Sequence, residues 1–219
     1  MINIGFAITG SFCTHEQILH TLASLDKSKY NIIPLVTPSV EHTSTRFGNN
    51  KIFLEKIENI CQNKIVSTIV DAEPLGPKGV VDALIIAPCT GNTLAKLANA
   101  ITDNAVTMLA KSLSRNNKPV IIGISTNDAL GLNFKNIATL INTKNYYFIP
   151  FKQDDHINKP KSLVCDFKHL EETLLNALNG IQYQPVIAKW CLVLCALNIK
   201  LELIKYNTFN KQFLYLFTW

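Results

Sequence analysis

The chain of 219 residues is poor in charge and lacks most of the short signatures that announce a chemistry. Charged residues make up only 17%, too few for a disordered chain, while 47% hydrophobic residues can fill one core, so one main domain is expected. No Gly-x-Gly-x-x-Gly and no Gly-x-x-x-x-Gly-Lys-Ser/Thr occurs, which excludes a dinucleotide fingerprint and a P-loop. The net charge of +5 comes without a dense Lys/Arg run, so nothing in it supports nucleic-acid binding. Six cysteines (Cys13, Cys61, Cys89, Cys165, Cys191 and Cys195) show no Cys-x-x-Cys spacing and no neighbouring His pattern. Free thiols in a reducing cytoplasm are expected, rather than a disulfide framework or a metal site. The opening Met1-Ile2-Asn3-Ile4-Gly5 has no basic segment followed by a long apolar one and reads as a strand, not a signal peptide.

What is present centres on residues 83–103. Ala83-Leu84-Ile85-Ile86-Ala87 reads as a buried strand, and Pro88, with no N–H to donate, is expected to end its ladder. Leu94, Leu97, Ala98 and Ile101 fall on one face of a helix. Between them Thr90, Asn92 and Thr93 set short polar side chains beside the first free N–H groups of that helix. Two readings stand side by side: a helix cap, or a ligand at the carboxyl end of a strand, where open α/β sheets bind. The spacing names no ligand.

The rest of the chain repeats this rhythm. Strands are expected over 2–9, 30–36, 120–124 and 146–151, the last closed by Pro150. Helices are expected over 14–25, with Thr14 and Gln17 at capping-box spacing, over 49–61, after a cap at Asp103, over 129–142, and around Phe167–Leu178. Val66–Val70 fits a short strand or a helix end, and 71–79 is a turn-rich loop whose Glu73 is either an acid–base group or a solvated side chain. Lys152-Gln-Asp-Asp-His156 reads as a turn, since two adjacent carboxylates and one His fix no metal geometry. Alternating strands and helices define an α/β fold: an open parallel sheet between two helical layers. Right-handed crossovers bring Gly10/Ser11, Thr37/Ser39, Thr90–Thr93 and Ser125–Asp128 to one edge. Such small hydroxyl and amide groups suit a neutral heterocycle with a phosphate better than a metal. Gly10 admits close backbone approach and Ser11 suits a phosphate at a helix start, although a plain tight turn explains both as well. Arg46, in the polar loop 42–48, can pair with a carboxylate or phosphate or simply be solvated. Residues 188–219 form an apolar tail broken by Lys200, Glu202 and Lys205, too short for a membrane span. An extra strand, a partner-binding segment or an altered reading frame all fit it.

Six ordered segments add a resemblance: Gly5–Thr14, Thr43–Gly48, Ala72–Lys78, Ala87–Asn99, Gly123–Leu132 and Phe148–Asp155. Together they are similar to the flavoprotein family of flavin-dependent cysteine decarboxylases, from residue 1 to 187. The resemblance implies a Rossmann-like fold with FMN, often at the interface of a trimer. It implies Gly10, Ser11 and Phe12 at the phosphate, and Thr37 and Ser39 near the ribityl chain or phosphate. Thr90, Gly91, Asn92 and Thr93 would lie against the flavin, with Ser125, Thr126 and Asn127 closing the site. Two departures argue against cysteine decarboxylation. The family's catalytic His before the focal strand is replaced by the loop Glu73–Pro77, and its Met-Asn clamp by Ser125-Thr-Asn-Asp128. The similarity is greatest to the branch of the family that serves dipicolinate formation in sporulation. That branch implies oxidation of dihydrodipicolinate, or its hydrated form, by NAD(P)+, with the nicotinamide on a companion protein. The missing dinucleotide fingerprint agrees. On this reading Arg46 and Lys144 are candidates to hold the two substrate carboxylates, and Asn127, Asp128 and Glu73 to orient substrate or move a proton. A decarboxylase or prenyl-transfer enzyme of the wider family, and a non-catalytic scaffold for the companion protein, stay open.

Overall fold

Strands without polar alternation belong in the middle of a sheet covered on both faces, and this is where they are found. The structure, a computed structural model, describes residues 1–188; the tail from Lys189 onward, with Cys191 and Cys195 and the readings attached to it, lies outside the described residues. Residues Met1–Ile187 form one unit. Five strands run parallel: β1 (Ile2–Ile8), β2 (Tyr30–Val36), β3 (Ala83–Cys89), β4 (Val120–Thr126) and β5 (Tyr146–Phe148), in the order β2-β1-β3-β4-β5. Every residue of β3 is buried. Helices α1 (His15–Ser24), α2 (Pro38–His42), α3 (Asn50–Cys61), α4 (Ile69–Ala72), α5 (Gly91–Ala98), α6 (Ala105–Arg115), α7 (Phe134–Ile141) and α8 (Leu170–Leu178) fill the connections. Gly5 has no side chain because α6 packs there: a Cβ would stand 2.9 Å from a Leu109 methyl. The α/β architecture expected from the sequence is therefore the one observed. Among the described residues no helix is long and apolar enough to cross a membrane.

Several local expectations need correcting. Pro88 does not end β3; the strand continues to Cys89, and the proline falls where the β3–β4 ladder loses register, so no ladder bond is missed. Thr14 does not cap α1, which opens through a 3₁₀ turn, Phe12–Thr14; its hydroxyl donates to the Ser11 carbonyl at 2.8 Å. Asp103 does not cap α6 either. Its carboxylate takes Lys96 at 2.6 Å, and the neighbouring Asn104 forms the capping box with Thr107. Helix α7 starts at Phe134 rather than 129, because the Asp128 carbonyl accepts the N–H groups of Gly131 and Asn133 and holds 128–133 as a turn. Val66 makes one parallel bridge to Leu35 before α4 begins.

The largest difference lies after β5. That strand stops at Phe148, and residues read as a turn form an antiparallel hairpin, β6 (Phe151–Asp155) and β7 (Lys159–Cys165). β5 pairs only with Val120–Ile122, so β4 outruns it. The free end of β4, Ser125 and Thr126, pairs instead with Val164 and Leu163 of β7. The seven-stranded sheet is thus mostly parallel with an antiparallel addition that stands at the carboxyl end of β4.

Candidate functional site

Four of the five parallel strands, β1 to β4, leave a short polar loop at the carboxyl end, and side-chain hydrogen bonds join those after β1, β3 and β4. Thr9, fully buried just past β1, donates its hydroxyl to the Pro88 carbonyl at 2.7 Å and accepts the Thr90 N–H at 3.0 Å. Ser11 meets Ser125, at the end of β4, hydroxyl to hydroxyl at 2.7 Å. Past β2, Thr37 and Ser39 pair at 3.0 Å, and Ser39 stands where a Cβ on Gly10 would be only 3.0 Å away. Thr90 is the N-cap of α5: its Oγ1 accepts the Thr93 N–H at 3.4 Å and contacts the Thr93 hydroxyl at 3.2 Å. The capping role is real, and it leaves Thr90 on the wall of the cleft. Gly91 sits where a Cβ would come within 2.5 Å of the Asn133 amide and 2.9 Å of the Thr126 hydroxyl, so a larger residue would have to displace both side chains beside the cleft.

These loops surround an open cleft of about 960 Å³. Gly10, Ser11, Phe12, Arg46, Thr90, Ser125, Thr126, Asn127 and Asp128 line one side, and the β6–β7 hairpin forms the other with Lys152 and Ser162. Thr37, Ser39, Gly91 and Thr93 support the wall without lining it, and Asn92 is exposed. Asn127 accepts the Ser162 hydroxyl at 3.5 Å, and Asp128 accepts the Asn133 amide at 3.3 Å. Asn92 stays off the cleft wall, and two further expected site residues are not brought to the cleft. Lys144 lies before the amino end of β5 and donates to Asn117 at 3.0 Å. Glu73 is exposed on a 3₁₀ turn, Glu73–Leu75, which packs on α6.

Sequence reasoning passed over Thr9, His15 and the hairpin. His15 is buried behind the loop, stacked on Phe53 at 4.4 Å and tilted against Phe12 at 5.1 Å, with Nε2 3.0 Å from the Thr9 carbonyl. Burial lowers its pKa below the usual 6.5, against the smaller opposing pull of that carbonyl. The Thr14/Gln17 spacing drew attention to the helix start, but nothing in the sequence showed that His15 would point inward. Cys89 is fully buried and Cys165 nearly so at the cleft's edge, and burial pushes both thiols well above the usual cysteine range, away from the thiolate.

On the parallel-strand side the groups are mostly hydroxyls and amides, with one guanidinium, the Asp128 carboxylate and a glycine that leaves the backbone open, while the hairpin side and the turn after it bring Lys152, Asp154, Lys159, Asp166 and Lys168. Among the described residues no group of three His, Cys, Asp or Glu could hold a metal ion. Such a wall fits a phosphate, a polyhydroxyl chain and a flat heterocycle, and its volume suits a cofactor of that size.

A parallel sheet with helices on its faces and polar loops at its carboxyl edge defines an α/β protein of Rossmann-like form, and the chain belongs to the Flavoprotein family, whose model matches residues 1–175. It is 47% identical over 186 residues to the B subunit of dipicolinate synthase from Bacillus subtilis, covering 85% of this chain and 93% of that protein. The crystal structure of the dipicolinate synthase B subunit from Bacillus halodurans superposes with a TM-score of 0.78 at 48% identity, over 86% of this chain and 96% of that one. Burkholderia xenovorans DmrB in complex with FMN, described as a cubic protein cage for redox transfer, shares the fold: TM-score 0.61, 15% identity, 81% of this chain and 96% of that one.

Proposed function

We propose that this chain binds FMN in the cleft and acts with the A subunit of dipicolinate synthase in the NAD(P)-dependent oxidation of dihydrodipicolinate, or its hydrated form, to dipicolinate. The chemistry balances as loss of a hydride to NAD(P)+ and of a proton, with water leaving first from the hydrated form. The observation that carries the reading is the convergence of Ser11, Thr90 and Ser125 on one open cleft in a chain so similar, over nearly its whole length, to the B subunit of dipicolinate synthase. FMN, when bound, supplies a reversible two-electron carrier. Gly10, Ser11 and Phe12 would hold its phosphate, Thr37 and Ser39 back that loop, and Thr90, with Ser125 and Thr126, would flank the ring, while Gly91 and Thr93 support Thr90 from behind and Asn92 stays outside the cleft of one copy. Arg46 holds a substrate carboxylate through its planar fork. Asn127 and Asp128 orient the substrate or take its proton. Glu73 and Lys144, away from this cleft, enter no step within one copy of the chain. The nicotinamide site belongs to the A subunit. The domain division is a flavoprotein domain over 1–187 followed by the tail 188–219. The setting is the cytoplasm of the mother cell in a sporulating bacterium, and the assembly is a homo-oligomer built on trimers.

The test is the visible spectrum of the purified full chain, the identity of any cofactor released on denaturation, and turnover with and without the A subunit. A yellow protein that releases FMN and raises dipicolinate output when added to the A subunit is the expected outcome. A colourless chain that takes up no added FMN refutes the cofactor assignment. Dipicolinate output that is indifferent to the presence of this chain refutes the shared reaction.

A further inference from the structure

We infer that Lys152, on the first strand of the antiparallel hairpin, is the second carboxylate anchor of the cleft and works with Arg46 to select a dicarboxylate. The inference rests on the proposed function above and adds to it the residue that reads the second charge. A small planar diacid needs two cations set apart, and among the described residues the parallel part of the site offers only Arg46. Lys144 is at the opposite end of the sheet. The hairpin supplies the remaining cations of the cleft: Lys152 and Lys159 on its strands and Lys168 just after it.

These three are not equivalent. Lys159 is committed to Asp154 at 2.9 Å, so each cancels the other. Lys168, exposed like Lys152, stands on the 3₁₀ turn Phe167–His169, outside the strand pairing of the hairpin. Lys152 stands on a strand whose register is fixed by the pairs Phe151↔Cys165, Lys152↔Val164 and Gln153↔Leu163. Strand alternation sets Lys152 and Asp154 on one face, the cleft face, while Phe151 is buried on the other and anchors the strand. Because Lys159 takes up Asp154, the Lys152 ammonium has no carboxylate partner among the described residues. The pinned strand fixes where the Lys152 stem begins, on the cleft face, so its flexible ammonium reaches into the cleft from a set point opposite Arg46. Arg46 lies over the Phe47 ring at 4.9 Å, which steadies its guanidinium while the edge of the fork stays open to an anion.

The experiment titrates the FMN-loaded full chain, in complex with the A subunit, with pyridine-2,6-dicarboxylate and with pyridine-2-carboxylate. Wild type, Lys152→Gln, Lys152→Arg and Lys168→Gln are compared, and FMN affinity is measured for each. Lys152→Gln is expected to weaken the diacid about tenfold or more and to erase its preference over the monoacid. Lys152→Arg restores most of that preference, Lys168→Gln changes it less than about twofold, and FMN affinity is unmoved throughout, as order-of-magnitude expectations for a single exposed charge contact. Diacid binding by Lys152→Gln equal to wild type overturns the inference and leaves the proposed function standing. Weakened FMN binding in that variant also overturns it, since Lys152 would then serve the cofactor. Wild-type protein that binds FMN but neither acid overturns the substrate reading itself, and the inference falls with it.

Discussion

The two ends of the sheet use polar side chains in opposite ways. At the amino end the polar side chains spend themselves on other parts of the protein. The Asn3 N–H donates to Asp82 at 2.9 Å, Asn31 donates to the Asn3 side chain at 2.9 Å, and Asn63 donates to the Asn31 side chain at 2.9 Å and to the Ile32 carbonyl at 2.8 Å. Lys118 closes this end on Asp82 at 3.5 Å and on the Val81 carbonyl. At the carboxyl end hydroxyls meet in pairs: Ser11 with Ser125, Thr37 with Ser39, Thr90 with Thr93. A hydroxyl has one proton and two lone pairs, so the Ser11–Ser125 and Thr37–Ser39 pairs each still have one proton and three lone pairs to offer, and the Thr90–Thr93 pair, which also takes the Thr93 N–H, has one proton and two. The saturated end locks strands together. The unsaturated end is shaped by its own contacts and still able to bind.

Thr9 is the exception at the binding end, and replacing it should break the contrast most. It behaves like an amino-end residue: buried, with both its donor and its acceptor used inside the protein. Thr9→Val keeps the shape but strands the Pro88 carbonyl and the Thr90 N–H. A loss of about 2–4 kcal/mol in unfolding free energy is expected, because each buried unsatisfied group costs about 1–3 kcal/mol. Denaturant unfolding measures it, and a loss below about 1 kcal/mol would show that water or a shift of the loop replaces those bonds. At the amino end Asp82→Ala removes the acceptor for Asn3 and the partner of Lys118. Asp82 is 41% exposed, so screening limits the cost to about 1–2 kcal/mol. FMN affinity should not change. A variant that unfolds as wild type does but binds FMN more weakly would mean that the two ends are coupled.

Ser125→Ala is the converse test. It deletes one member of a hydroxyl pair whose other member, Ser11, can turn to solvent in the open cleft. Stability should fall by less than about 1 kcal/mol, while FMN affinity falls about tenfold, the value of one good hydrogen bond to a charged or polar ligand. Fluorescence quenching of FMN titrated into the apo chain reads this directly. Equal losses in stability and affinity would make Ser125 structural, like Asp82.

The contrast between the ends also explains which features are legible in the sequence. Buried parallel strands carry uninterrupted apolar runs, so the run Val120–Ile124 is found inside β4 where the sequence places it, and the rule that ligands bind at carboxyl ends then places Ser11, Thr90 and Ser125 together. The hairpin left no such signal. Lys152 to Asp155 is polar on both faces apart from its anchor Phe151, and a charged edge strand looks like a turn. The expected role of Lys144 fails for a different reason: a strand over 146–151 already sets Lys144 before its amino end, away from the edge where the polar loops gather, and the structure keeps it there, bonded to Asn117. The cap expected at Asp103 falls one residue later because Asp and Asn both cap well, and the reach of Lys96 decides which of them does so.

His15 gives the smallest expected effect and the finest test, because it ties the binding loop to the core through Thr9. The unfolded chain takes up a proton on this imidazole near 6.5; the folded chain does so only at lower pH, since burial between Phe12 and Phe53 disfavours the charge. Above 6.5 both states are neutral and the residue contributes no slope. As pH falls below 6.5 protons bind the unfolded state first, so stability must decline. Between 6.5 and about 5 most carboxylates stay ionised in both states, which leaves histidines to set the slope. His15→Phe keeps a ring in the stack and removes the proton site, so thermal unfolding measured across that window should show a shallower decline than wild type. A decline that is unchanged in the variant would assign it to the other histidines and would leave the loop held by Thr9 without any help from the neutral state of His15.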